Sequence, residues 1–279
     1  MNIQTKASFK KEYLAYFRTK RFMIIALVMV GLAIFSPLLL TGMAALMDMM
    51  SDLYDELGMD VSEMTQILGS NASMGVSSTV SDLAGAGLIV VIILINRAAG
   101  GEQKKRAVII PKSAGLRSFP YLFPKYIIYP LSIFFLSVIG MFASWGASAL
   151  VFDINDVVFS SVLLAGILTG THMMFYVCFH LTLGTATGKA GMSAAVCIAA
   201  SILLSNVFAI MLPEYMFNPF ALNFLAQNIV HNTAVTGAEV TDILITIAFA
   251  LGIMIVTYLI ALFAQNARTI DNSGNELEL

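Results

Sequence analysis

Residues 96–125 read NRAAGGEQKKRAVIIPKSAGLRSFPYLFPK and lie between two long apolar runs. The stretch holds seven of the fifteen Lys and Arg residues of the chain, against a single acid, Glu102. Lys and Arg resist translocation, so short basic loops beside apolar spans mark the cytoplasmic side of a membrane. The segment is too long for a tight turn, and 102–111 reads as a short helix. Charges fill Glu102, Lys104, Lys105 and Arg106, an apolar run follows, and Pro111 stops it. Two readings stand side by side. One is a helix pressed to the inner membrane face, its ionic residues turned to a soluble partner; the other is a plain positive-inside anchor.

The composition supports a membrane setting. Of 279 residues, 58% are hydrophobic and only 11% charged, whereas a soluble domain carries about a quarter charged residues. Both cysteines, Cys178 and Cys197, fall in apolar runs, which excludes a disulfide framework and suits small buried apolar side chains.

Outward from the basic loop the chain reads as all-α, with six spans near 22–47, 75–95, 126–152, 157–183, 191–212 and 243–265. Residues 6–21 form a basic amphipathic helix in which Phe9, Tyr13, Tyr16 and Phe17 recur at helical spacing, while Lys10, Lys11 and Arg18 take other faces. That pattern predicts a helix lying in the inner interface, aromatic side down. The following 26 residues, 22–47, carry no charge. At 1.5 Å per residue they reach about 39 Å, beyond a hydrocarbon core of roughly 30 Å, so the run spans with tilt or a kink near Pro37. It is too long for a cleaved signal. Residues 48–82 carry seven acids and no base and form an exterior loop that passes into the second span, with Asp82 at its outer margin. Residues 213–242 are too apolar for a solvated loop and too broken by Pro213 and Pro219 to span. They read as a re-entrant or interfacial helix, or as a lid on neighbouring loops.

Charge fixes the orientation. With both termini cytoplasmic, all fifteen bases lie inside, and twelve of the seventeen acids lie outside or at the outer edge. The expected location is the cytoplasmic membrane, multi-pass.

Sites of chemistry are scarce. There is no HExxH, GxSxG, Walker glycine loop or CxxC pair. His172 and His180 share the fourth span but stand about 80° apart round the helix, so they do not converge as ligands. His180 is expected to donate to a nearby carbonyl. Ser144, Ser148 and Ser205 have no evident acid–base partner and suit helix packing, as do Gly166-xxx-Gly170 and residues 84–87. Met43, Met47, Met49 and Met50 cluster at the outer end of the first span as pliable apolar filler, Cu(I) binding being the sharper alternative. No ionic relay lies deep in a span, so any energy for transport enters through a partner.

The chain resembles the ABC type-2 transporter permeases, the six-span membrane subunits of ATP-driven exporters, over nearly its whole length. The likeness rests on the basic helix KKEYLAYFRTKRFMIIA running into the first span, the helical loop after the second, and the broken segment between the fifth and sixth. In that family the loop commonly shows a Glu, a Gly-Thr about four residues on, a Pro, then a Lys opening the third span. Glu102, Pro111 and Lys125 match; Arg106-Ala107 stands where Gly-Thr is usual, and the Pro-to-Lys spacing is longer. The resemblance implies a coupling set of Glu102, Lys104, Lys105, Arg106, Pro111 and Lys125. It also implies a separate ATPase subunit that binds the ATP, a second permease copy, and a path lined by the second and fifth spans. The expected protein is not itself an enzyme and needs no metal, no cofactor of its own and no nucleic acid. It exports an amphipathic or hydrophobic substrate such as a peptide, drug or lipid-like molecule. The rivals are an intramembrane enzyme using span histidines and serines, and a stand-alone channel.

Overall fold

The computed structural model describes residues 3–50, 72–102, 115–152, 157–211, 218–231 and 237–275. Helix α1 covers Ile3–Phe17 and α2 Arg21–Met49. Helix α3 runs over Ala72–Gly101, its α-helical course interrupted by π turns at Leu83–Gly87 and Arg97–Gly101. Helices α4, α5 and α6 cover Ser118–Val151, Phe159–Thr187 and Ala190–Met211. A 3-10 turn at Pro219–Ala221 leads into α7, Leu222–His231, and α8 runs from Gly237 to Asn275.

Five of these helices are long and apolar enough to cross a membrane: α2, α3, α4, α5 and the Val240–Ala267 part of α8. The chain is therefore an all-helical, multi-pass membrane protein. The described apolar part of α6, Ala190–Leu204, is shorter. Helix α5 is the central post. Its most apolar window is 72% buried, against 28% for those of α2 and α8, and α4, α6, α7, α8 and the inner end of α3 all pack on it.

The helix ends correct the sequence reading at the basic loop. Helix α3 does not stop at Ile95 but continues as a π turn into Glu102, and α4 starts at Ser118 rather than 126. Asn96, Arg97, Gly100 and Gly101 look like loop residues because they are polar or lack side chains. Ala98, Ala99 and Gly100 are nevertheless buried, and packing overrides their low propensity. At the other end, Pro120 sits at the third position of α4, where the backbone N–H has no helical partner to lose. Helix α1 ends at Phe17, earlier than expected, because Lys20 takes a left-handed conformation, φ 59°, just before α2. Pro37 lies within α2, and Pro124 and Pro130 lie within α4, which spans tolerate when neighbouring groups satisfy the freed backbone.

Glycine sets the closest approach in the bundle. A Cβ on Gly184 of α5 would collide with the Ala99 carbonyl of α3, and one on Gly100 would lie 2.9 Å from the Gly184 carbonyl. Gly166 and Gly170 do what their spacing predicted, meeting Val138 and Phe134 of α4. Gly85, by contrast, has nothing within 4 Å of its would-be Cβ, and both Gly85 and Ala86 are exposed.

Gly184→Ala is expected to cost about 1–3 kcal/mol through overpacking against backbone. Gly252→Ala, with open space around it, should stay within about 0.5 kcal/mol. Melting of the two purified variants in one detergent checks this; equal Tm values would show that the α3–α5 contact is looser than described.

Candidate functional site

Three helix ends meet at the basic side of the bundle and bring together four charges. Helix α1 turns Thr5, Ser8, Glu12 and Tyr16 inward, a stripe at helical spacing that packs against α4. Helix α4 answers with Tyr121, Lys125 and Tyr129, each four residues apart and all buried. Glu102, at the end of α3, lies one turn beyond Ala98.

The polar bookkeeping closes. Lys125 Nζ lies 2.7 Å from Glu102 Oε2, 3.0 Å from the Tyr121 hydroxyl and 3.1 Å from the Ala98 carbonyl, so each of its three protons has an acceptor. The Tyr121 hydroxyl in turn donates to Glu102 Oε2 at 3.0 Å. Lys11 Nζ bridges the two acids, 3.2 Å from Glu102 Oε1 and 3.4 Å from Glu12 Oε1. Tyr129 donates to Glu12 Oε2 at 3.2 Å, and Lys125 stands 4.0 Å from Glu12 Oε1. Lys125 is 1% exposed and Glu102 7%. The Lys125 ammonium also sits 4.3 Å from the centre of the Tyr121 ring. Below the acids, the Tyr16 ring meets Tyr129 edge-on at 4.7 Å, and its hydroxyl lies 3.0 Å from Ser132 Oγ.

Burial alone would raise the Glu102 carboxyl. The Lys125 and Lys11 ammoniums, with the Lys125 and Tyr121 hydrogen bonds, outweigh it and hold the group at about 2. The site is thus two ammoniums and two carboxylates locked at the junction of α1, α3 and α4. It fixes three helix ends as one body.

The coupling set of the sequence reading divides here. Glu102 and Lys125 are brought together, each the other's nearest ionic partner, with the Glu102 carboxylate turned into the protein. Lys104, Lys105, Arg106 and Pro111 lie outside the described residues. Lys11, Glu12, Tyr121 and Tyr129 were missed. One signal pointed to them: Glu12 is the only acid among six bases in residues 1–21, as Glu102 is among seven in 96–125. Helix α1 turns Thr5, Ser8, Glu12 and Tyr16 toward α4, while Tyr13 and Leu14 are exposed and Phe9 packs edge-on against Phe123.

The span histidines and serines stay separate. His172 is buried, hydrogen-bonded to the Pro219 backbone and edge-on to Tyr176. His180 approaches the Ser193 backbone but neither ring nitrogen reaches hydrogen-bond geometry, so the expected donation to a carbonyl is not made. Ser144 bonds Thr79, and Ser148 Oγ is buried without a partner beside Gly75. Among the described residues no group of His, Cys, Asp and Glu could hold a metal ion. Comparison with family models, curated proteins and solved structures finds no match.

Removing one partner of a buried pair leaves the other charge uncompensated, so Lys125→Met is expected to destabilise by about 3–5 kcal/mol. The Lys125→Met/Glu102→Gln double variant should recover part of that, with a coupling of about 1–3 kcal/mol in a thermal double-mutant cycle. A pH series separates charge from packing. The Glu102 carboxyl is depressed from 4.5 to about 2, so its contribution is complete above pH 4.5 and is lost as pH falls toward 2. Glu102→Gln should flatten that acid limb; an unchanged limb would remove Glu102 from the network.

Proposed function

We propose that the chain is the permease subunit of an ATP-driven exporter of the ABC type-2 kind, acting with a separate ATPase subunit and a second permease copy in the cytoplasmic membrane. The observation that carries this reading is the ionic cluster at the root of the basic segment 103–114. A segment that receives force from a soluble motor must be joined firmly to the helices it moves. Glu102 ties the start of that segment to α4 through Lys125 and to α1 through Lys11. A push on the segment is then delivered to α1, α3 and α4 together, and two packed arrangements of the bundle become the inward- and outward-facing states. A plain topological anchor has no need of such a joint. Under this reading α6 is the fifth of six spans, both termini are cytoplasmic, 213–242 caps the outer end, and Lys104, Lys105 and Arg106 face the ATPase. Glu102 acts by positioning the segment rather than by touching the partner.

The test has two arms. Single cysteines at Asn155 and Asn232 should label from outside with an impermeant reagent, and those at Ser113 and Ser273 should not; reversal at any one of these breaks the six-span arrangement. In native membranes from which an ATPase copurifies with the parent chain, Lys104→Glu/Lys105→Glu/Arg106→Glu should abolish that copurification, since reversed charges at an interface cost several kcal/mol. Lys11→Met, at a half-exposed member of the cluster, should keep copurification but lower transport per ATP about three- to ten-fold, a loss of about 1 kcal/mol of coupling. Full coupling in Lys11→Met, or full copurification in the triple variant, would return the segment to the role of an anchor.

A further inference from the structure

Helix α1 and the first span, α2, do not run on into one another. Lys20 takes a left-handed conformation, φ 59° and ψ 3°, and the chain turns a corner between Phe17 and Arg21. Three bases stand on that corner within four residues: Arg18 and Lys20 are exposed, and Arg21 is half-buried. Among the described residues every ion pair belongs to the inner cluster, and none of the three takes part in one. The nearby acids are already claimed, since Glu12 and Glu102 are buried and held by Lys11 and Lys125.

The corner is packed on its inner side. The Phe17 and Phe22 rings lie 4.6 Å apart, Tyr13 meets Phe17 at 4.5 Å, and Tyr16 meets Phe22 edge-on at 5.7 Å. Thr19 Oγ1 donates back to the Ala15 carbonyl. The backbone that carries the three bases is therefore preorganised, which lowers the ordering cost of binding. Above the corner α2 rises as a span, and its first two turns leave Met23 65%, Ile24 46% and Leu27 75% exposed. A cationic ledge at the foot of an open apolar helix face is the complement of a phospholipid, with the phosphate at the boundary and the acyl chains along the helix. Charge chooses among headgroups. A zwitterionic headgroup brings its own ammonium toward three bases, whereas an anionic one adds only attraction, and basic clusters beside spans draw anionic lipids for this reason.

We propose that Arg18, Lys20 and Arg21, with Met23, Ile24 and Leu27 above them, bind one anionic phospholipid at the α1–α2 corner in preference to a zwitterionic one. Bound there, the lipid bridges the end of α1 to the foot of α2 and steadies the helix that carries Lys11 and Glu12 into the inner cluster. The site does not depend on the exporter reading and would serve a channel or an enzyme equally.

Native mass spectrometry of the full chain, titrated in detergent with dioleoyl phosphatidylglycerol or dioleoyl phosphatidylcholine, reads the Kd of the first bound lipid. The parent should bind phosphatidylglycerol about ten-fold tighter than phosphatidylcholine. Arg18→Gln/Lys20→Gln/Arg21→Gln should lose that preference. Lys6→Gln/Lys10→Gln/Lys189→Gln removes as much charge from other exposed bases and should keep it within about two-fold. Lys20→Gln alone, with a loss of about three-fold, decides the matter where the triple variant at the corner fails to insert. Glycerol phosphate, the headgroup without its tails, should not displace the lipid at equal concentration. The proposal is overturned by a parent without the preference, by an equal loss in the control triple, by parent-like preference in the corner variants, or by displacement with glycerol phosphate.

Discussion

An ammonium group sealed inside an apolar bundle stands only if each of its protons meets an acceptor. Lys125 meets that condition with a carboxylate, a phenol and a backbone carbonyl drawn from two helices. The requirement propagates. The carboxylate must sit where α3 ends, so α3 has to continue through its glycines to reach Glu102. The Ala98 carbonyl becomes available where the π turn Arg97–Gly101 shifts the backbone ladder. The second acid, Glu12, then requires α1 to lie along α4 with its polar stripe inward. The close approach of Gly100 and Gly184 holds the inner end of α3 against the central post while this occurs.

The bundle is fastened differently toward its other end. There α2, α3 and α4 are joined by hydroxyls: Ser36 with Ser78 at 2.7 Å, and Thr79 with Ser144 at 2.7 Å, with Gly75 fitted against Pro37 and Ser148. Interhelical hydrogen bonds of this kind contribute about 0.6 kcal/mol on average within a bilayer. The coupling expected for the Lys125–Glu102 pair is larger, about 1–3 kcal/mol. The magnitudes therefore place the stiff joint at the basic end, and the easier exchange of contacts at the hydroxyl end.

The division of the sequence into apolar helices was legible because long uncharged runs and one-sided charge leave little choice in a membrane. The close packing at Gly166 and Gly170 was legible too, from their spacing. What escaped was tertiary. Asn96–Gly101 reads as a loop by composition, whereas its packing on α5 and α6, against Gly184 and Ala190, is tertiary. The α1 stripe Thr5, Ser8, Glu12, Tyr16 is largely polar, so a search for apolar periodicity found the aromatic residues, Tyr16 among them, and passed over Glu12. Glu102 was singled out for a sound reason, its isolation among bases, but isolation cannot tell an acid that faces a partner from one that is claimed by a lysine of the next helix. The same isolation at Glu12 was visible and, joined to the first, would have suggested a pair of acids answering a shared base.

The two knot acids also explain an irregularity in the charge distribution. Acids otherwise gather on the side away from the bases, yet before the polar tail Glu12 and Glu102 lie among them. Orientation in a membrane is set by Lys and Arg and is little affected by Asp and Glu, so nothing in insertion favours or forbids an acid there. Folding does. Lys125, four residues beyond Tyr121 in an otherwise uncharged helix start, would be an uncompensated buried charge without them, and Lys11 supplies the second positive charge that keeps the two carboxylates from repelling one another. The cluster is neutral as a unit and so leaves the surrounding bases to define the inner face. Insertion and packing thus draw on separate residues of the same sign, which is why a charge pattern read for orientation concealed the joint that ties α1, α3 and α4 together.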